Sequence, residues 1–178
     1  MTEKNILIVV DMQNDFITGA LGTREAQAIL PCAAERIRAC RERGDAIIAT
    51  LDTHGPDYMN TAEGRKLPVP HCIRGTEGWQ IAPQIRQALG ECVLVEKPTF
   101  GSVELTGVVA GLAEGAQQVN IELLGVCTDI CVISNALLLK AHFPEIGMAV
   151  NAACCAGVTP EKHAAALETM ASCQIDVI

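Results

Sequence analysis

Hydrophobic and polar positions along this chain alternate between two rhythms. Asn5–Asp11 is a nearly continuous apolar run of Ile, Leu and Val, the pattern of a strand buried on both faces. Ile29, Ala33, Ile37 and Cys40 then recur at helical spacing, with Arg and Glu between them and Gly44 just beyond. That pattern predicts an amphipathic helix stopped by a glycine. Ala46–Leu51 reads as a second buried strand. The rhythm breaks over Asp52–Gly78, where four Gly and three Pro predict a long loop that carries two of the four histidines. In compact domains, loops of this length tend to carry function.

Beyond the loop, the pattern predicts a short helix near Ala82–Leu89, a strand at Cys92–Glu96, and a helix opening near Ser102 with Leu105, Val108, Val109 and Leu112 on one face. Val119–Leu124 reads as a fourth strand, Asp129–Ala141 as a largely apolar helix and Ile146–Asn151 as a fifth strand. Thr159 can cap a last helix with Pro160 in its first turn, where a missing N–H does no harm. Ile175–Ile178 would be a sixth, edge strand. Strands alternating with helices imply parallel pairing through right-handed crossovers. The expected fold is therefore α/β: a doubly wound, Rossmann-like, mostly parallel six-stranded sheet with helices on both faces, formed by residues 1–178 as one domain. Ligands of such sheets bind at the carboxyl ends of the strands.

Composition narrows the function. One Trp, one Tyr and three Phe leave the core to aliphatic side chains. Thirteen basic against 21 acidic residues, a net charge of −8, argue against a nucleic-acid partner, which needs clustered Lys and Arg. The apolar run Ile6–Val10 stops at Asp11, and no stretch approaches the ~20 residues of a membrane helix. Neither a secretory leader nor a membrane span is therefore expected. The nine cysteines are odd in number and contain no Cys-x-x-Cys pair, so they read as reduced, mostly buried thiols of a cytoplasmic protein. A chain this hydrophobic is also expected to form a homo-oligomer.

The strand ends hold the chemistry. Asp11 closes the first strand, Asp52 the second with His54 two residues on, and Lys97 the third. The fourth ends in Gly125-Val126-Cys127-Thr128-Asp129-Ile130-Cys131 and runs straight into a helix. Taken singly, each residue has a plain reading: an Asp after a strand as a turn former, a Lys as solvated, a Cys in an apolar helix as core. Together they put a carboxylate, an ammonium and a thiol on one sheet edge. A helix N-terminus and a nearby Lys would both favour the thiolate, and an Asp could carry its proton.

These residues carry a resemblance. Asp11-Met12-Gln13-Asn14-Asp15-Phe16, with Gly19 and Leu21 following, resembles the opening of the isochorismatase-like cysteine hydrolases, and Gly125–Val132 is similar to their nucleophile segment. Asp52-Thr53-His54 and His71-Cys72-Ile73-Arg74-Gly75-Thr76-Glu77-Gly78 resemble the metal motifs of the nicotinamidase/pyrazinamidase branch. The resemblance implies Asp11 as general base, Lys97 as charged neighbour and Cys131 as nucleophile toward a small amide. A thioester acyl-enzyme would follow, hydrolysed by a water that Asp11 activates. It also places a cis peptide before Cys127, whose N–H with that of Cys131 would form the oxyanion hole.

For the metal, the resemblance implies Asp52, His54 and His71 as ligands of one divalent ion, zinc first, with manganese or iron also suited to one carboxylate and two imidazoles. Glu63 falls at a fourth-ligand position of some branch members, counted from His54. Many members carry a substrate-stacking Trp three residues before the second metal His, where this chain has Pro68; Phe16 and Tyr58 are the candidate aromatic walls instead. Trp79, His142 and His163 read as packing or surface residues, Asp15 and Asp129 as holders of turns and caps. Cys154-Cys155 is expected as two free thiols just past the fifth strand. Three functions follow: a metal-containing amidohydrolase of nicotinamidase type, the same triad acting on another small amide or N-carbamoyl compound, or a catalytically idle ligand-binding relative.

Overall fold

The computed structural model describes residues 2–178. In chain order these form β1 (Glu3–Val10), α1 (Asn14–Ile17), α2 (Arg24–Ala28), α3 (Leu30–Arg43), β2 (Ala46–Asp52), a 3-10 turn (Tyr58–Asn60), α4 (Ala62–Lys66) and α5 (Pro83–Leu89). There follow β3 (Val93–Lys97), α6 (Val103–Ala113), β4 (Gln118–Val126), a π turn (Thr128–Val132), α7 (Ile133–His142), β5 (Gly147–Ala156), α8 (Pro160–Ser172) and β6 (Asp176–Val177).

The six strands make one sheet in the order β3-β2-β1-β4-β5-β6, and every pairing is parallel. The chain winds outward from β1 to β3, returns to β4, and winds outward again to β6. Right-handed crossovers then send α3 and α5 to one face and α6, α7 and α8 to the other, in keeping with the contacts of α3 with α5, and of α7 with both α6 and α8. The α/β fold expected from the alternating pattern is the fold found. Ile6–Val10 of β1 are all buried, because strands on both sides and helices above and below leave them no solvent. The order reverses between β1 and β4, so their carboxyl ends open the crevice where ligands of such sheets sit. At that point Gly125 has φ 127°, and a Cβ there would collide with the Val10 carbonyl.

Local sequence explains the helix ends. Gly44 stops α3 in the left-handed conformation, Ser102 caps α6 by accepting the Leu105 N–H, and Thr159 caps α8 with Pro160 behind it. Two expectations are corrected, and two short helices were not foreseen. The stretch Asp52–Gly78 is not loop throughout: Thr61 accepts the Gly64 N–H and so starts α4, directly after the 3-10 turn. Cys154 and Cys155 lie inside β5, buried, because that strand runs on past a register shift against β4. Helices α1 and α2 have four and five residues, too short for a periodic signal. All nine cysteines are free, and among the described residues no helix is long and apolar enough to cross a membrane.

Candidate active site

The ends of β1, β2, β3 and β4 deliver the candidate residues to one place. Asp11 follows β1 in the left-handed region, φ 49°, a conformation that costs a non-glycine residue about 1–3 kcal/mol and clusters at functional sites. It is held there by Thr50 of β2, which accepts the Asp11 N–H at its carbonyl (3.2 Å) and donates its hydroxyl to Asp11 Oδ1 (2.6 Å). Lys97, the last residue of β3, is completely buried with Nζ 2.6 Å from Asp11 Oδ2. The same Nζ lies 3.4 Å from Cys131 Sγ and donates to Thr99 O. Cys131 sits in the π turn, where the Val132 N–H reaches back five residues to Cys127 O; such turns are frequent at functional sites. The Val126–Cys127 peptide is cis.

Electrostatics revise one expectation. Burial pushes the Cys131 thiol well above its ordinary value, and Asp11 adds to this more than Lys97 subtracts. This direction runs against the thiolate that a helix terminus and a lysine would favour. Burial likewise raises the Asp11 carboxyl, against the pull of Lys97. Burial alone would lower the Lys97 ammonium, yet the carboxylates around it, Asp11 foremost, outweigh burial and raise it.

A second cluster adjoins the first. His54 Nε2 and His71 Nε2 lie 3.0 and 3.4 Å from Asp52 Oδ2, and one donor atom from each of the three residues falls within 4.8 Å of the others. One carboxylate and two imidazoles, converging and buried, are a donor set that suits a divalent transition metal. Burial alone would raise Asp52, but hydrogen bonds from both rings and the charge of Lys97 hold it well below the usual range, so it offers an anionic oxygen. His71 Nδ1 pairs with Val69 O (2.8 Å), which leaves Nε2 as the inward donor. Glu63 stands outside this trio, its Oε1 3.8 and 3.6 Å from the two Nε2 atoms.

A cavity of about 260 Å³ joins the clusters, lined among others by Phe16, Asp52, His71, Phe100, Cys127 and Cys131. A second cavity, of about 630 Å³, shares Glu63, Leu67, Phe100 and Ile130 with it. Phe16 is a wall of the first. Tyr58 is not: it is buried behind the imidazoles, its ring 4.8 Å from His54 and 5.0 Å from His71, and its hydroxyl donates to Leu67 O. Trp79 packs, its indole N–H bonded to Thr53 Oγ1.

Other residues that hold the site were not singled out from the sequence. Gln13 donates to Asp52 O and accepts the Asp52 N–H, both at 2.8 Å, and so fixes that residue's backbone from both sides. Thr50 and Asn135, both buried, are the others. Asp15, expected to hold a turn, accepts the Cys72 N–H beside His71. Asp129 does the same for Val158, and His163 pairs with Thr128 at the head of the π turn.

Comparison with known proteins finds a matching family and similar folds. The family model of the isochorismatase domain matches residues 5–178. A protein of Arabidopsis thaliana named Nicotinamidase 1 is 30% identical over 76% of this chain, which spans 61% of that relative's length. The crystal structure of a Pyrococcus horikoshii pyrazinamidase in complex with zinc is similar at 30% identity and a TM-score of 0.80, over 98% of each chain. That of a Bacillus subtilis nicotinamidase/pyrazinamidase is similar at 29% identity and a TM-score of 0.84, again over 98% of each chain.

Proposed function

Because this chain belongs to the isochorismatase domain family, we propose that its residues 1–178 form one catalytic domain that hydrolyses the carboxamide C–N bond of a small aromatic amide, nicotinamide first. The observation that carries this reading is the position of the Lys97 ammonium, 2.6 Å from the Asp11 carboxylate and 3.4 Å from the Cys131 sulfur, at a cavity that also reaches His71.

Cys131 gives its proton to Asp11 as sulfur attacks the amide carbon, which answers the raised thiol value: no free thiolate need persist. Backbone N–H groups of Cys127 and Cys131 take the developing oxyanion; a donor of this kind is worth about 10²–10³ in rate. When the C–N bond breaks, protonated Asp11 hands its proton to the departing nitrogen, and ammonia leaves a Cys131 thioester. Asp11 then takes a proton from water, the resulting hydroxide attacks the thioester, the C–S bond breaks, and the proton returns to sulfur as the carboxylic acid departs. Lys97 stays protonated and holds Asp11 and Cys131 in register.

Asp52, His54 and His71 would hold one divalent ion, with Glu63 as a further oxygen donor, and an ion held there would supply a Lewis-acid contact for a ring nitrogen. Zinc is the first candidate, supported by the similar pyrazinamidase described with zinc. The test is ammonia release by the purified protein from nicotinamide, pyrazinamide and several N-carbamoyl compounds. Release from the ring amides, with a covalent adduct on Cys131, is expected. Release from N-carbamoyl compounds alone would overturn the substrate, and an adduct on Cys127 or Cys154 would overturn the nucleophile.

A further inference from the structure

We propose that Asn135 is a positioning residue of this active site, tying the turn that carries Cys131 to the loop that walls the pocket; the proposal rests on the amidohydrolase reading above. Asn135 lies on α7, one helical turn past Cys131, and is completely buried. Its Nδ2 donates to Cys131 O at 2.8 Å and to Phe100 O at 3.1 Å, while Oδ1 accepts the Ser102 N–H at 2.8 Å. Both amide hydrogens and one oxygen lone pair are thus engaged.

The need for such a residue arises from the π turn. The N–H groups of Val132 and Ile133 both reach back five residues, to Cys127 O and Thr128 O, so the ladder that would otherwise order the nucleophile's segment is out of helical step. At the exit of that turn, the Cys131 carbonyl takes a side-chain donor. On its other side the same amide holds two groups of the Phe100–Ser102 stretch, and Phe100 shares the cavity wall with Cys131. One residue before it, Thr99 O accepts from Lys97 Nζ. The stretch runs close to α7: a Cβ on Gly101 would sit 3.2 Å from Ser134 O. One buried amide therefore sets the nucleophile against both its wall and its charged neighbour.

Two variants and a substrate-free readout separate positioning from mere stability. Asn135→Ala removes all three bonds. Asn135→Thr offers a hydroxyl that can donate to the carbonyl four residues back, Cys131 O, but is too short for Phe100 and Ser102. We expect Asn135→Ala to lower kcat for nicotinamide by about 10- to 100-fold, the scale on which small misplacements of reacting groups act, and to slow alkylation of Cys131 by iodoacetamide. Asn135→Thr should recover kcat and the alkylation rate while KM stays raised, because the wall remains untied. A folded Asn135→Ala protein with unchanged kcat, KM and alkylation rate, altered only in thermal midpoint, would overturn the proposal. If Asn135→Ala does not fold, Asn135→Thr decides: recovery with raised KM supports the proposal, and a loss of kcat at unchanged KM overturns it. Wild-type protein that leaves nicotinamide intact yet shows the alkylation pattern would sink the substrate reading and support the positioning role.

Discussion

The thiol corner and the metal-ligand corner of this pocket share Lys97, whose Nζ lies 2.6 Å from Asp11 and 3.7 Å from Asp52, yet they are built in different ways. In the thiol corner, Asp11 and Lys97 stand at the ends of β1 and β3, and Cys131 at the entry to α7. The sheet's ladders locate Asp11 and Lys97, and Thr50 and Asn135 add side-chain ties to Asp11 and Cys131. In the metal-ligand corner only Asp52 stands on a strand. His54 and His71 belong to the long β2–β3 connection, outside the six-stranded sheet: a single β-bridge pairs His54 with Ile73, and His71 depends on individual tethers. Cys72 holds φ 46° beside His71, its N–H taken by Asp15, and Tyr58 packs edge-on against both rings. The sheet thus places Asp11, Lys97 and Asp52, while a turn places Cys131, and one bridge with side-chain packing places the two histidines.

If the corners are separable, substitutions should divide them. The largest effect is expected from Cys131→Ala: turnover falls about 10⁴-fold or more, as for loss of a covalent nucleophile, while metal content by elemental analysis stays that of the wild type. Asp11→Asn comes next, at about 10²–10⁴-fold in kcat. Its sign in alkylation is opposite and diagnostic. The Asp11 charge helps hold the Cys131 thiol up, so removing that charge should lower the pH at which Cys131 alkylates, read by mass spectrometry across a pH series; an unchanged or raised midpoint would break the pairing of the two groups.

His71→Ala should act on the other corner. With one of three protein ligands gone, metal content should drop from about one per chain and KM for nicotinamide should rise, while the rate of Cys131 alkylation holds. A parallel fall in alkylation would show that the corners are one unit. The smallest effect belongs to Tyr58→Phe, which removes only the hydrogen bond to Leu67 O. It should cost about 1 kcal/mol by denaturant unfolding and lower metal affinity slightly, with kcat for bound substrate unchanged.

Several of these residues were legible before the fold was known. Asp11, Asp52 and Lys97 each end an apolar run, so both their place at a sheet edge and the crevice they share follow from alternation alone. Cys131 follows the fourth run in the same way, and Phe16 was named as a wall and lines the cavity. Gln13, Thr50 and Asn135 were not legible. A buried polar residue inside an apolar segment looks like a tolerated neighbour until its partner is known, and the partners here lie 39 residues away for Thr50 and Gln13 and 33 for Asn135 with Ser102. Tyr58 was misplaced for a related reason: its aromatic ring suits a pocket wall or a buttress behind the imidazoles equally well, and only packing chooses.

The sequence by itself determined which segments are buried, and that a carboxylate, an ammonium and a thiol reach one rim; the two imidazoles came from the family resemblance, and the end of β5 from neither. The buried segments and the shared rim are consequences of period, caps and chain direction, which are local. Tertiary structure alone decided the charge states and the spacing of a few ångströms on which chemistry depends. The thiol is raised because burial and Asp11 together outweigh Lys97, a balance set by distances between groups on different strands. The same holds for Asp52, which burial alone would raise and which two rings and Lys97 hold down. Hydrophobic pattern is a property of neighbours in the chain, whereas desolvation and Coulomb energy are properties of neighbours in space.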